Sequence, residues 1–240
     1  MQIIWHGQSC FQISISQGKN NHVNIVIDPF SEEVGLRLPK LQADILLTTH
    51  DHYDHNNVKA VSGNPFIINS PGEYEIKNVF IEGIPSWHDN SQGKERGENT
   101  IYTIEAEDLK LCHLGDFGQK ELTGEQLEKI GEVDVLMIPI GGVYTISAKE
   151  ALKVMSQLEP KIIIPMHYQI PSKAKPSEGE DEGKPERGKL HRLPKLNIKL
   201  DGLDKFLKMV GIKSITPESK FSIKKKDISP EEVKIIVLKP

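Results

Sequence analysis

The chain contains 240 residues, which is enough to bury a sizeable core and lies near the upper end for one domain. Its 30 Lys and Arg residues stand against 34 Asp and Glu residues, a formal net charge of −4. This balance gives no electrostatic footprint for a long nucleic acid or an anionic membrane surface. The N-terminus lacks the pattern of a secretory signal, and no apolar run approaches the ~20 residues of a membrane-spanning helix. We therefore expect one cytoplasmic domain, 1–240, without a membrane partner.

The first half of the chain is rich in short β-branched runs that are separated by turn residues. The run at 44–49 contains three consecutive aliphatic residues, Ile45, Leu46 and Leu47, as in a strand buried on both faces. The runs at 100–105 and 109–114 flank Glu107-Asp108 and predict a hairpin. Strands are predicted, in chain order, at 1–5, 11–16, 22–28, 44–49, 65–70, 74–84, 100–105 and 109–114.

The second half alternates helices with strands. Thr123 with Gln126, and Ser147 with Glu150, have the spacing of capping boxes at the starts of two helices. Two blocks of strands, each followed by helices, predict an α/β sandwich rather than a doubly wound sheet. The predicted helices are 123–130, 147–158 and 201–210, and the predicted strands are 133–138, 161–166 and 233–238.

A charged insertion is predicted at about 172–195. Its segment 172–189 contains five basic and five acidic residues and no apolar residue larger than Ala174. Such a composition buries too little apolar surface to order a chain, so a mobile loop is expected. It follows the segment that carries His167, and two interpretations stay open: a lid over a site, or a solvated insertion without function.

The segment 49–55, Thr-His-Asp-His-Tyr-Asp-His, predicts a metal site. Imidazole is the commonest protein ligand of divalent transition metals, and carboxylates complete such sites. Because residues i and i+2 of an extended segment share a face, His50 and His52 can reach one ion. Asp54 and His55 follow at the turn beyond and can face a second ion. The alternative is a polar surface loop that is rich in histidine.

Three further candidate ligands each follow an apolar run: His88, Asp116 and His167. Ligands at strand ends combine a rigid scaffold with an open mouth, which a catalytic metal site requires. Taken singly, each of these residues is equally compatible with an ordinary turn or surface position.

The order H-x-H-x-D-H, a later His, a Gly-Asp after a strand and a final His after a strand resembles the metallo-β-lactamase superfamily. The resemblance implies a four-layered αββα sandwich of two mixed β-sheets. It also implies one ion held by His50, His52 and His88, a second held by Asp54, His55 and His167, and Asp116 bridging the two. Zn²⁺ suits these ligands, and Mn²⁺ and Fe²⁺ are compatible with them.

Shorter segments, including Ile27-Asp28-Pro29 and Pro165-Met166-His167-Tyr168, resemble the branch that contains ascorbate-6-phosphate lactonase. Several relatives have Gly-His-Ser where this chain has Gly7-Gln8-Ser9. The main class of β-lactamases places Cys where Asp116 stands, and flavodiiron oxidoreductases place Glu where His52 stands. Both departures argue against those two activities.

The expected function is that of a dinuclear hydrolase. In such sites two ions about 3.5–4 Å apart share a water molecule. Its pKa falls towards ~7, so that it is present as a bridging hydroxide at neutral pH. We expect it to attack an ester-type bond of a small molecule, either a phosphodiester or a lactone, with Asp54 as the catalytic residue that orients the nucleophile and shuttles a proton. A long nucleic acid would require a basic groove and is disfavoured. The alternative function is a non-catalytic metal-binding sensor or interaction protein, and the oligomeric state is open.

Three other residues have two open interpretations. His113 precedes Asp116 by three residues, so it either supports a ligand or packs in the core. His6 lies near the end of the first predicted strand and can line the mouth of the site. Tyr168, beside His167, is either a hydrogen-bond donor to a developing oxyanion or a packing residue.

Overall fold

A computed structural model describes residues 1–19, 21–170, 199–229 and 231–240. The predicted charged insertion at about 172–195 lies outside the described residues. The single domain over 1–240 stays a prediction. Within the described ranges the strands are β1 (Gln2–Gly7), β2 (Cys10–Ser16), β3 (His22–Ile27), β4 (Leu41–Gln42), β5 (Ile45–Leu47), β6 (Val61–Ser62), β7 (Phe66–Ile68), β8 (Gly72–Ile76), β9 (Val79–Trp87), β10 (Glu98–Ala106), β11 (Leu109–His113), β12 (Val135–Pro139), β13 (Ile162–Met166), β14 (Phe221–Ser222) and β15 (Lys234–Ile235). The α-helices there are α1 (Gly124–Ile130), α2 (Ala148–Leu158) and α3 (Leu203–Met209).

The strands form two large mixed sheets, which confirms the predicted sandwich. The first sheet has the order β14-β1-β2-β3-β5-β7, and the second has the order β15-β13-β12-β11-β10-β9-β8. In each sheet the antiparallel pairs lie towards one end, whereas β3-β5-β7 and β11-β12-β13-β15 are parallel. Strands β4 and β6 pair separately as a short third ladder.

Apolar side chains from the two sheets meet in one large core. In β1 buried and half-buried residues alternate, so every second side chain, such as Ile3 and Trp5, points into this core. In β12 and β13 all five residues are buried, because α-helices cover the other face of these parallel strands. Helix α2 contributes residues spaced three or four apart, namely Ala148, Ala151, Val154 and Leu158.

The outer face of the first sheet is covered by the segment that connects β3 to β7. Phe30 and Leu41 from this segment pack on Val26 and Leu46 from the sheet and form a second apolar cluster. In the described part of the chain this layer contains two 3₁₀ turns, Glu32–Val34 and Val58–Ala60, and no α-helix.

Both predicted capping boxes are present. The hydroxyl of Thr123 accepts a hydrogen bond from the Gln126 N–H at the start of α1. Ser147 and Glu150 form the same arrangement at α2. These side chains satisfy amide donors that the first turn of a helix leaves unpaired, which fixes where each helix begins.

The predicted strands 44–49 and 65–70 are shortened to β5 and β7, and two other predictions differ more from the structure. The segment 74–84 is not one strand but the hairpin β8–β9, which turns at Lys77 and Asn78 with φ of 52° and 56°. The sequence hides this turn because apolar residues continue through both strands and only Asn78 favours a positive φ. The terminal strand 233–238 is shortened to Lys234–Ile235, which pairs with β13.

Strands that run in the same direction within each sheet bring their C-terminal ends to one edge of the sandwich. β3 leads into Asp28, β5 into His50, β9 into His88, β11 into Asp116 and β13 into His167. Polar residues that follow separate strands therefore meet above the core. No helix in the described ranges is both long and apolar enough to cross a membrane.

Candidate metal centre

The seven predicted ligands converge in the structure. Two groups of three residues bring their ligand atoms within 4.8 Å of one another: His50, His52 and His88, and Asp54, His55 and His167. These are the two sets that the sequence resemblance implies. A third group with the same spacing, His50, His55 and Asp116, connects them.

Asp116 lies between the two groups. Its Oδ2 atom is 3.3 Å from Nε2 of His88 in the first group and 3.3 Å from Nε2 of both His55 and His167 in the second. Asp54 Oδ2 is 3.8 Å from His55 Nε2. One carboxylate oxygen thus faces both sets of imidazoles, which is the placement expected of a bridging ligand.

Buried ring nitrogens without partners test whether these residues fit a metal ion. Nε2 of His50, His55 and His167 is buried and has no hydrogen bond within the described part of the chain. The 3.3 Å contacts of His55 and His167 with Asp116 lack hydrogen-bond geometry. Leaving buried polar atoms unpaired costs free energy, and imidazole with carboxylate is a donor set that divalent transition metals prefer. The residues therefore fit metal ions.

Asp28 orients His55. The buried carboxylate of Asp28 accepts hydrogen bonds from the Thr49 N–H and from the Thr49 hydroxyl, both at 2.8 Å, and lies 3.0 Å from His55 Nδ1. In the neutral form of His55 this contact holds the ring proton on Nδ1, and Nε2 is left as the atom that faces the other ligands. The Thr49 hydroxyl also lies 3.0 Å from Nδ1 of His50.

Asp116 is held by Ser9, from the turn between β1 and β2, and by Asn99 from β10. The Ser9 hydroxyl donates to Asp116 Oδ1 at 3.2 Å, and Asn99 Oδ1 accepts from the Asp116 N–H at 2.9 Å. His113 acts one step further away, because its Nε2 lies 2.9 Å from the carbonyl oxygen of Ser9 and its Nδ1 accepts from the Gly115 N–H. His113 is therefore a buried positioning residue whose neutral ring supports the loop that carries Asp116.

The backbone at His167 is in the left-handed region, with φ of 49°. Its N–H donates to the carbonyl oxygen of Gln8 at 3.1 Å, and the same oxygen accepts from the indole of Trp5 at 2.8 Å. Such a conformation is unfavourable for a residue with a Cβ and concentrates at functional sites. It turns the His167 side chain from the end of β13 towards Asp116.

The electrostatics of the site follow from burial and from the carboxylates. Burial lowers the pKa of His50 and of His88, so both rings are neutral at neutral pH. Burial also opposes protonation of His55, but Asp116 and Asp28 outweigh it and raise the pKa of His55 well above its ordinary value. The imidazoles of His167 and His55 hold the pKa of Asp116 well below its usual range despite its burial.

His6 and Tyr168 take no direct part in the groups of ligands. Tyr168 is buried against Trp5, with ring centroids 5.1 Å apart, and burial raises the pKa of its phenol. This geometry favours the packing interpretation. His6 is half-buried on β1 beside Gln12, and burial lowers its pKa.

Several residues that shape the site were missed. Asp28 follows a buried strand, as the predicted ligands do, and that signal could have identified it as a site residue. Ser9 and Asn99 carry no such signal, because only the folded chain brings them to Asp116. Tyr53 and Tyr144, both partly exposed, were missed as well. The pKa of Tyr53 is raised by burial and by the neighbouring Asp54 and Tyr144.

The fold and this site define the class of protein to which the chain belongs. A family model described as the beta-lactamase superfamily domain matches residues 2–167. A crystallographically characterised Thermotoga maritima protein, assigned to the Zn-dependent hydrolases of the metallo-β-lactamase superfamily, is 33% identical with a TM-score of 0.72. The match covers 99% of this chain and 97% of that one. The chain is thus a metallo-β-lactamase-fold protein with two mixed sheets and few helices.

Relatives in archaea narrow the assignment. A metal-dependent hydrolase of Thermococcus onnurineus is 32% identical over 204 residues, which cover 72% of this chain and 87% of the relative. A second metal-dependent hydrolase, from Thermoplasma volcanium, is 32% identical over 197 residues, which cover 70% of this chain and 83% of the relative. The chain belongs to the UPF0173 family of metal-dependent hydrolases.

Proposed function

We propose that this protein is a dinuclear hydrolase that cleaves an ester-type bond of a small molecule, a phosphodiester or a lactone. The observation that carries the proposal is the position of Asp116 Oδ2, 3.3 Å from imidazole nitrogens of both groups of ligands. A site for one ion would not require a carboxylate that faces two separate sets of histidines. Membership of a hydrolase family supports catalysis over the sensor or interaction function.

The residues of the two groups would hold one ion each, with Asp116 shared. When bound, a pair of divalent ions lowers the pKa of a water molecule towards ~7 and polarises the bond to be cleaved. Zn²⁺ fits three histidines with carboxylates, and Mn²⁺ and Fe²⁺ remain compatible. Asp28 and Ser9 keep His55 and Asp116 in place, so that little reorganisation is needed during the reaction.

Asp54 is the residue that we assign to proton transfer. Its side chain is only 17% exposed, and its Oδ2 lies 3.8 Å from His55 Nε2, so the carboxylate faces the centre of the site while it still contacts solvent. A carboxylate in this position can accept a hydrogen bond from the attacking nucleophile and orient it. It can also carry the proton to the leaving oxygen.

The substrate class follows from charge and from resemblance. The formal net charge of −4 gives no support for a long polyanion, because nucleic acid binding depends on neutralising phosphates with Lys and Arg. A small ester fits this balance better. Lactones enter the proposal through the resemblance of this sequence to the branch that contains ascorbate-6-phosphate lactonase.

The first experiment is hydrolysis of bis-(p-nitrophenyl) phosphate and of a simple aromatic lactone, dihydrocoumarin, by protein loaded with Zn²⁺ or Mn²⁺. We expect metal-dependent turnover of at least one substrate, with a loss of ~100-fold or more in His52→Ala. The matched control is His22→Ala, which removes an exposed histidine at the start of β3.

Turnover by wild type and His22→Ala, but not by His52→Ala, would support the proposal, and the preferred substrate would decide between the two ester classes. Protein that holds two metal ions and hydrolyses neither substrate would contradict it. Asp54→Asn separates the proton-transfer role: we expect kcat to fall while the metal content changes less, and full turnover in this variant would exclude that role.

A further inference from the structure

A loop that begins at His88 fixes the backbone of one arginine, Arg96. The carboxylate of Asp89 accepts hydrogen bonds from four backbone N–H groups of the loop, at 2.7 to 3.0 Å: those of Ser91, Gly93, Glu95 and Arg96. The loop closes where the His88 N–H donates to the carbonyl oxygen of Gly97 at 3.1 Å. The backbone of Arg96 is therefore fixed next to a residue of the first group of ligands.

The side chain of Arg96 extends to a second loop of the site. Its guanidinium carbon lies 5.5 Å from the ring centroid of Tyr144, in the range of a cation–π interaction. Tyr144 belongs to the loop between β12 and α2. That loop contacts Phe117, the residue directly after Asp116. The carbonyl oxygen of Phe117 accepts a hydrogen bond from the Ile146 N–H at 3.0 Å.

The same loop also contacts the second group of ligands. Gly141 packs so closely against His167 that a methyl group on Gly141 would lie 2.2 Å from the His167 carbonyl oxygen. The contact between Arg96 and Tyr144 therefore joins the loop that starts at His88 to the loop between β12 and α2, which itself contacts Phe117 and His167. At this contact Tyr144 is 39% exposed, so solvent reaches it.

Arg96 has no anionic partner in the part of the chain that the structure describes. Arg96 is half-buried, and its guanidinium makes neither an ion pair nor a hydrogen bond there. The adjacent carboxylate of Glu95 instead accepts from the Ser91 hydroxyl at 2.8 Å. By contrast, the half-buried Lys110, far from the site, is paired with Glu105 at 2.9 Å. A guanidinium offers five donors in a planar fork that matches carboxylate and phosphate groups.

We propose that Arg96, held against Tyr144, binds a carboxylate or phosphate group that the substrate carries in addition to its scissile bond. The substrate is then an anionic ester, and Arg96 determines specificity without touching the reacting atoms. This inference rests on the proposed hydrolase function, because it assigns the part of the substrate that lies outside the metal centre. The fixed backbone and the stacked side chain reduce the entropy that Arg96 loses on binding.

Binding of two small anions that resist hydrolysis tests the site directly. Calorimetric titration of Zn²⁺-loaded protein with succinamate and with methylphosphonate measures their affinities in wild type, Arg96→Gln and Lys94→Gln. Lys94 lies exposed in the same loop and provides the matched loss of one positive charge. We expect Arg96→Gln to weaken binding of at least one anion by ~10–100-fold and Lys94→Gln to change it less than ~2-fold. The anion that binds more tightly identifies the group.

Three results would overturn the proposal: no binding of either anion, an unchanged affinity in Arg96→Gln, or an equal loss in Lys94→Gln. The metal content and thermal midpoint of each variant are measured in parallel, so that unfolding is not mistaken for loss of the site.

Kinetics with matched esters separate this inference from the proposed function. For mono-p-nitrophenyl succinate we expect Arg96→Gln to raise KM ~10–100-fold, whereas the constants for neutral p-nitrophenyl acetate stay unchanged. An equal effect on both esters would contradict a role in binding the anionic group. If the protein hydrolyses neither these esters nor the phosphodiester and lactone, while succinamate binding depends on Arg96, the anion site stands and the hydrolase proposal fails.

Discussion

Replacing Asp28 with asparagine tests how the site selects the metal-binding form of His55. Asp28 has φ of 47°, and asparagine tolerates this left-handed conformation, so the backbone is preserved. The new amide keeps one acceptor oxygen, which can still accept from the Thr49 N–H. Its NH₂ group, however, now faces the Thr49 hydroxyl and His55 Nδ1, where the carboxylate had accepted hydrogen bonds.

The expected magnitude follows from these contacts. An amide that donates to His55 Nδ1 moves the ring proton to Nε2, the atom that faces Asp54 and Asp116. That proton must be displaced before a metal ion binds. Loss of such a supporting contact lowers metal affinity by ~10–100-fold, or about 1.4–2.7 kcal/mol. Hydrogen bonds to a charged group contribute about 1.5–3 kcal/mol each, so the free energy of unfolding also falls.

The assay is competition for Zn²⁺ with a chromophoric chelator at neutral pH, together with thermal unfolding of the metal-free protein. Asp44→Asn is the control, because Asp44 accepts from the Asn24 N–H and pairs with Lys77 at the opposite end of β5. We expect it to leave Zn²⁺ affinity unchanged. Wild-type affinity in Asp28→Asn, or an equal loss in Asp44→Asn, would refute this account of His55.

Two further predictions concern pH and packing. Protons compete for His55, whose pKa is raised, at a higher pH than for His50 and His88, whose pKa values are lowered. As pH falls, metal should therefore leave the group with His55 first, at a higher pH than it leaves the group with His50 and His88. The bound metal per chain, measured after equilibration at each pH, would show a plateau at one ion. Simultaneous loss of both ions would contradict this order. Gly141→Ala should lower the free energy of unfolding, measured by denaturation, by about 1–3 kcal/mol, because its methyl group would meet the His167 carbonyl. Gly124→Ala is the control: Gly124 has open space around it, so this substitution should not destabilise the protein in the same measurement.

The elements that the sequence predicted best have signals within a few residues. Ser147 with Glu150 marked the start of α2, and the apolar runs around Leu136 and Ile163 marked two strands, all of whose residues are buried in the structure. The hairpin turn at Lys77-Asn78 was not predicted, because its conformation depends on the pairing of β8 with β9 rather than on the two residues alone.

For the site, the sequence alone determined which residue types stand at strand ends. His50, His52, Asp54 and His55 are adjacent in the chain, so their chemistry is visible without a fold. His88, Asp116 and His167 were candidates because each follows an apolar run, and the resemblance to a known order of motifs assigned them to the two ions. Each is far from the others in sequence, and spacing alone could not have assigned them to a common site.

Only the tertiary structure decided how these residues are held and what surrounds them. Asp28 reaches His55 across 27 positions of sequence, and Ser9 reaches Asp116 across 107. The contact between Arg96 and Tyr144 likewise depends on two loops that meet above the sandwich. A ligand is identified by its chemical type, which is a local property of the sequence. Its protonation, orientation and neighbours depend on distances between strands, and those distances are fixed only when the two sheets pack together.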